Sequence, residues 1–250
     1  MPLAKRIIPT LLVRGRQLVK GVAFNSWRSV GHVQQSVRIH QARGVDELVL
    51  LDISATVEGR GPDLKLVEEL TRDCFMPLAV GGGVKSVDDV RALLKAGADK
   101  VVIGEGACIA VQLASAAVGA QAIVVSIDVD ARGKVAWIGH TPTNLSPVEF
   151  AQKMQKEGAG EILITSIERE GAMQGYDLDL IRAVSKAVTI PVIAHGGCGS
   201  YRDMLLAIEA GADAVAAGAM FQFTDATPRG AAEYLAKHGI EVRLQEEACR

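Results

Sequence analysis

The strongest constraint on this chain is a repeat inside it. Displaced by 114 residues, Glu47–Gly104 falls on Glu161–Gly218 without a gap, and about 17 of the 58 positions are identical. GPDLKLVEEL lies over GYDLDLIRAV, MPLAVGGGVKSVDD over IPVIAHGGCGSYRD, and LLKAGADKVVIG over AIEAGADAVAAG. RIIPTLLV, nearer the start, lies over AIVVSIDV at a similar offset. Internal self-similarity on this scale dictates the architecture before any single residue does. Each half carries the same βαβα content, and no Ser/Pro-rich tract or charge block separates the halves. At 250 residues the chain has the usual length of one α/β barrel. The reading is a single domain over 1–250, a (β/α)₈ TIM barrel made of two duplicated half-barrels at about 1–118 and 119–240.

Composition fits that architecture. Hydrophobic residues make up 49% and aromatics only 4%, so the core is Val, Ile, Leu and Ala, as in parallel strands covered by helices. Short β-branched runs predict strands at Arg6–Val13, Leu48–Asp52, Leu78–Val80, Lys100–Ile103, Ala122–Asp128, Ile162–Ser166, Val192–Ala194 and Ala214–Ala217. Amphipathic stretches between them predict helices at about Val33–Arg43, Leu64–Asp73, Val87–Ala96, Ala107–Val118, Pro147–Glu157, Leu178–Lys186, Tyr201–Glu209 and Arg229–His238. Asp63, Ser86, Ser146, Asp177 and Ser200 stand where N-caps belong, and Gly44, Gly97, Gly158 and Gly211 where helices end. Arg14–His32 is the one long connection with no clear structure, and a long βα loop is where a lid belongs.

Several function classes are excluded. A net charge of −2 leaves no electrostatic footprint for nucleic acid or membrane. The apolar run in MPLAKRIIPTLLV is too short and too β-branched for a signal peptide or a span, so a cytoplasmic location is expected. Cys74, Cys108, Cys198 and Cys249 show neither metal-ligand nor disulfide spacing and read as structural thiols. The five histidines are scattered, so neither metal nor cofactor is expected.

In such barrels chemistry sits at the C-terminal ends of the strands. Glycine turns follow strands 3 and 7, and single glycines follow strands 4 and 8. Backbone N–H groups free of side chains near a helix N-terminus make a phosphate seat. The duplicated GG…GAD…G pattern therefore predicts two seats, at Gly82, Gly83 and Gly104, and at Gly196, Gly197 and Gly218 with Thr165. The competing reading is that these glycines only permit tight turns. Two opposed seats imply a long small-molecule ligand with a phosphate at each end. Asp128, ending strand 5 as SID, points by position to the centre of the mouth. Asp52, ending strand 2, is either a partner in that chemistry or a loop anchor. Lys20 is either folded over an anionic substrate or solvated.

Taken together, AKRIIP, LVKG, DELVLLDI, GGGV, GADKV, IVVSID, GAGEIL, GYD and KHGIEVRL resemble the cyclase subunit of imidazole glycerol phosphate synthase over essentially the whole chain. The resemblance implies a glutaminase partner on the N-terminal face. It also implies ammonia crossing the barrel, and acids at the mouth that cleave and cyclise a bis-phosphorylated ribonucleotide. It assigns an ammonia gate to Arg6, Glu47, Lys100 and Glu161, and a partner-facing role to Asp99. These four charges sum to zero at the starts of strands 1, 2, 4 and 6, so paired burial is reasonable. A purely structural salt-bridge layer is the alternative.

The mouth departs from that family's pattern. An aspartate is expected to end strand 1 opposite Asp128, and Leu12 stands there. An Asn-Thr pair is expected after strand 4, and Gly104-Glu105 stands there, with Glu105 bringing a negative charge toward a phosphate seat. Serines expected after strands 7 and 8 are His195 and Gly218, while acids persist as Glu168 and Glu170. RIIPTLLV and CFMPLAVGGG resemble a paralogous branch tied to surface-polysaccharide sugar amidation, in which ammonia passes to a separate sugar amidotransferase. Two functions follow as expectations: an ammonia-conducting subunit of that kind, or the histidine-pathway cyclase with Asp52 or Glu170 covering for the missing acid.

Overall fold

The computed structural model describes residues 3–104, 108–137 and 141–244. Eight parallel strands close on themselves: β1 (Arg6–Arg14), β4 (Leu48–Asp52), β5 (Leu78–Gly81), β6 (Lys100–Ile103), β7 (Ile123–Val129), β10 (Glu161–Ser166), β11 (Val192–His195) and β12 (Ala214–Ala217). Closure is the pairing of β12 with β1, in register from Arg6↔Ala214 to Pro9↔Ala217. Helices α1 (Val33–Ala42), α2 (Leu64–Thr71), α3 (Val87–Lys95), α4 (Cys108–Val118), α5 (Pro147–Lys156), α6 (Leu178–Ala187), α7 (Tyr201–Glu209) and α9 (Pro228–Lys237) alternate with them. This is the expected (β/α)₈ barrel, and no helix among the described residues is long and apolar enough to cross a membrane.

The duplication is visible in the fastenings as well as in the letters. Ser86 and Ser200 each form a capping box, with Asp89 and Asp203, and the Asp63 and Asp177 side chains accept from Leu66 N and Leu180 N. Asp99 accepts the Leu78 amide at 2.9 Å, and Asp213, its repeat mate, accepts the Val192 amide at 3.1 Å. Ser146 precedes α5 without a side-chain cap bond, and Pro147 opens that helix with a φ already suited to its first turn. The predicted helix enders Gly44, Gly97, Gly158 and Gly211 all take positive φ.

One expectation is corrected. Arg14–His32 is not an irregular loop: β2 (Gln17–Val22) and β3 (Asn25–His32) form an antiparallel hairpin that extends the sheet from β1. A short helix, α8 (Ala219–Phe223), follows β12, and a small ribbon, β8 (Ala136–Trp137) with β9 (Thr141–Pro142), follows β7. None of these was expected.

Strand alternation sorts the core into two shells. Ile7, Leu11 and Val13 point out, into the layer between strands and helices. Ile8 points inward and packs with Val49, Ala79, Val102, Val124, Leu163, Ile193, Ala214 and Ala216 as a girdle inside the barrel. Polar side chains occupy both ends of that girdle.

Candidate functional site at the two ends of the barrel

At the N-terminal end, the four predicted gate residues meet. Lys100 Nζ lies 2.9 Å from Glu47 Oε2 and 3.0 Å from Glu161 Oε1. Arg6 Nη1 reaches Glu47 at 2.5 Å, and its Nη2 reaches Glu161 at 3.1 Å. Signs alternate round a closed ring, so each charge has two opposite neighbours. Burial opposes the guanidinium's charge, yet Glu47 and Glu161 outweigh it and raise the Arg6 pKa. Glu47 is buried, which makes its two cations a requirement: a buried charge that loses its partner costs about 3–5 kcal/mol. Asp99 lies exposed at the same end, its carboxylate holding the Leu78 amide.

At the C-terminal end, the register sets three residues level on each side. Thr165 pairs with Asp128 on one side and His195 on the other. Opposite them, Leu12 pairs with Leu51, and Leu51 with Gly81. These trios are repeat mates: Leu12 aligns with Asp128, Leu51 with Thr165 and Gly81 with His195. One scaffold position has thus become apolar in the first half and polar in the second, and the mouth has two unlike sides. Leu12 is buried and on the inward-facing phase of β1, between Leu51 and Val19.

Asp128 makes side-chain hydrogen bonds with Thr165 and Ser126. Burial pushes its pKa up to about 7, the two hydroxyls oppose that shift, and the nearby Glu170 carboxylate adds to it. Lys20 is not solvated. It is buried, with Nζ 3.2 Å from the Thr10 carbonyl, and burial lowers its pKa against the pull of Glu170. Two contacts clamp the hairpin that carries it: Ala23 N donates to the Glu170 backbone carbonyl at 2.8 Å, and the Arg28 guanidinium lies 4.8 Å above the Phe223 ring. Tyr176, in the segment between β10 and α6, ties that segment to β12 by donating to Ala216 O at 2.9 Å.

Asp52 goes elsewhere. Its carboxylate accepts from Ser54 N, Ala55 N and the Ser54 hydroxyl and pairs with Arg60 at 2.6 Å. Of the two readings open to it, geometry favours the loop anchor, on the outward phase of β4.

The glycine turns divide in the same way. A Cβ on Gly82 would stand 2.3 Å from Asp52 O, and one on Gly196 2.8 Å from Ser166 O, an equivalent carbonyl in each half. Gly83 and Gly197 are similarly crowded by Arg60 O and Gly175 O. Close packing accounts for these four. Gly104 differs: among the described residues nothing lies within 4 Å of its missing Cβ, whereas at Gly218 that position lies 2.0 Å from Lys20 Nζ, so a lysine tip fills the second-half position. Glu105 lies outside the described residues, and Glu168 is exposed while Glu170 is buried.

His195 and Glu170 complete the polar side and were reached from sequence only as departures from a pattern. His195 Nδ1 lies 3.1 Å from Thr165 Oγ1, and its Nε2, buried without a hydrogen-bond partner among the described residues, lies 3.8 Å from Glu170 Oε2. A buried histidine at a strand end beside a glycine pair was the available signal.

The family model described as Histidine biosynthesis protein matches residues 6–227. The chain is 45% identical to an "Imidazole glycerol phosphate synthase subunit HisF" of Dictyoglomus thermophilum, over 97% of this chain and 99% of that one. It is 48% identical to the protein of the same name from Hyphomonas neptunium, over 96% and 99%. It is also 41% identical to a "Putative imidazole glycerol phosphate synthase subunit hisF2" of Campylobacter jejuni, over 97% and 99%.

Proposed function

The chain belongs to the histidine biosynthesis protein family, and from that premise we propose that it is the synthase-type subunit of a glutamine amidotransferase complex. A glutaminase docks on the N-terminal face, where Asp99 is exposed beside the charged ring. Ammonia enters through the ring, crosses the girdle lined in part by Ala79, Ala214 and Ala216, and leaves at the mouth for an acceptor on a separate enzyme. Lys100 is the member best suited to move aside, since a lysine offers a flexible stem and Arg6 a planar fork held by two carboxylates.

The observation that carries this reading is the contrast between the ends: all four ring charges are paired, while Leu12 stands level with the acid it should complement. Transfer of a proton by a placed group contributes ~10²–10⁴ in rate, and leucine supplies none of it. The phrases RIIPTLLV and CFMPLAVGGG support sugar amidation in surface-polysaccharide synthesis as the use of the ammonia. Phosphate at Gly104 is part of the same reading.

One observation favours a second reading, the histidine-pathway cyclase. Asp128 is poised near neutral pH, and Glu170 is a second carboxyl within its electrostatic reach. Two measurements separate the readings. Under the first, the chain stimulates glutamine hydrolysis by its co-expressed glutaminase and fails to rescue a histidine auxotroph lacking its cyclase. Rescue establishes the second reading, and absence of any stimulation removes the first.

A further inference from the structure

The polar side of the mouth contains a hydrogen-bond series whose direction follows from counting protons. Thr165 has one hydroxyl proton. When Asp128 is ionised, that proton goes to its carboxylate, so the Thr165 oxygen accepts from His195 Nδ1–H, 3.1 Å away. The imidazole, which burial keeps neutral, then presents a bare lone pair at Nε2. That atom is buried and has no hydrogen-bond partner among the described residues. Facing it at 3.8 Å is Glu170 Oε2, on a side chain 6% exposed.

Two acceptors set against each other in a buried site repel, and each is under-satisfied. A small molecule with two hydrogens relieves both. An atom placed ~2.9 Å from each oxygen or nitrogen across this gap subtends about 80° between its two bonds, a workable angle for two N–H donations. Burial selects the species: a site this enclosed strips a cation of its water, Lys20 on the Thr10 carbonyl already offsets Glu170, and the Asp128 carboxylate is turned to Thr165 and Ser126, so a neutral donor is favoured over an ammonium ion.

We propose that the gap between His195 Nε2 and Glu170 Oε2 is a hand-off site for ammonia, held as neutral NH₃ through two donated hydrogen bonds. The inference rests on the conduit reading and deepens it by placing a stop on the polar side of the mouth. It is confined to one half: Gly81 is the repeat mate of His195, and Thr56 that of Glu170, so the first half has neither acceptor. The nitrogen lone pair is not used by either contact and stays available for an electrophile.

The test uses the full chain with ¹⁵N-labelled histidine, its His195 ring resonances assigned by His195→Asn. Ammonium chloride replaces potassium chloride at constant ionic strength, at pH 8 and pH 9, where Asp128 is ionised. The expected result is a saturable shift of the His195 Nε2 resonance whose midpoint, in total ammonium, falls several-fold at the higher pH as free ammonia rises. Glu170→Gln, whose amide hydrogens can close the gap directly, abolishes the response. Thr165→Val, which releases Nδ1 and lets the proton move to Nε2, weakens it, and this variant serves if the first does not fold. No shift, an equal shift with potassium, or a midpoint indifferent to pH overturns the proposal. The titration requires no glutaminase, so its failure leaves the conduit reading standing, and a failure to stimulate glutaminase leaves the site standing.

Discussion

Asp128 owes its character to its surroundings, and a stability measurement can detect them. Its carboxyl keeps a proton in the folded chain up to about pH 7, whereas an unfolded aspartate loses it near pH 4. The folded state therefore binds more protons between those values, and this residue's contribution makes stability fall as pH rises from 4 to 7. Asp128→Asn removes the effect. Urea unfolding is expected to show the variant more stable than the parent at pH 8, by on the order of 2 kcal/mol, with the difference shrinking toward pH 4. A variant no more stable at pH 8 contradicts the assignment. Strand alternation alone puts this residue on the inward phase of its strand, level with Thr165, which is simple arithmetic once the strand is known. The sequence could not place Lys20, whose burial depends on Gly218 leaving space some two hundred residues away.

At the level of elements, the eight barrel strands and their helices were legible because their apolar periods are long and their caps are chemically distinct. The hairpin was not. Its two-residue tip is Ala23-Phe24, both at positive φ, where a turn of this kind normally announces itself with Asn-Gly. The left-handed conformation costs about 1–2 kcal/mol at each such residue. Contacts remote in sequence offset it: the Ala23–Glu170 backbone bond, and Lys20 lodged over Gly218. Gly218→Ala tests that seating. The new methyl evicts the ammonium, separating Lys20 from the Thr10 carbonyl and Glu170 from its cation. Amide hydrogen exchange across Gln17–His32 is expected to quicken about tenfold, with the barrel strands unaffected. Unchanged exchange in the hairpin argues that Lys20 does not fasten it. The glycine pairs carry the opposite lesson: their duplication suggested two phosphate seats, yet a shared need to clear a neighbouring carbonyl explains the same pattern.

For the molecule as a whole, the two ends differ in how much change they tolerate. The mouth has diverged at three matched positions while the barrel stays closed. The floor is a single electrostatic unit drawn from four strands. Lys100→Met is expected to lower stability by about 3 kcal/mol in urea, since Glu47 and Glu161 are left to share Arg6. Lys100→Met together with Glu47→Gln is expected to recover much of that loss, and equal destabilisation by the single and double changes refutes the ring as a unit. The ring also has an uneven division of labour. A break near Gly119 leaves Arg6, Glu47 and Lys100 on one fragment and Glu161 alone on the other. The first piece then presents a surplus cation at its open seam and the second a lone carboxylate. Severed halves should seek each other out by attraction at the base, and added salt should slow their reunion.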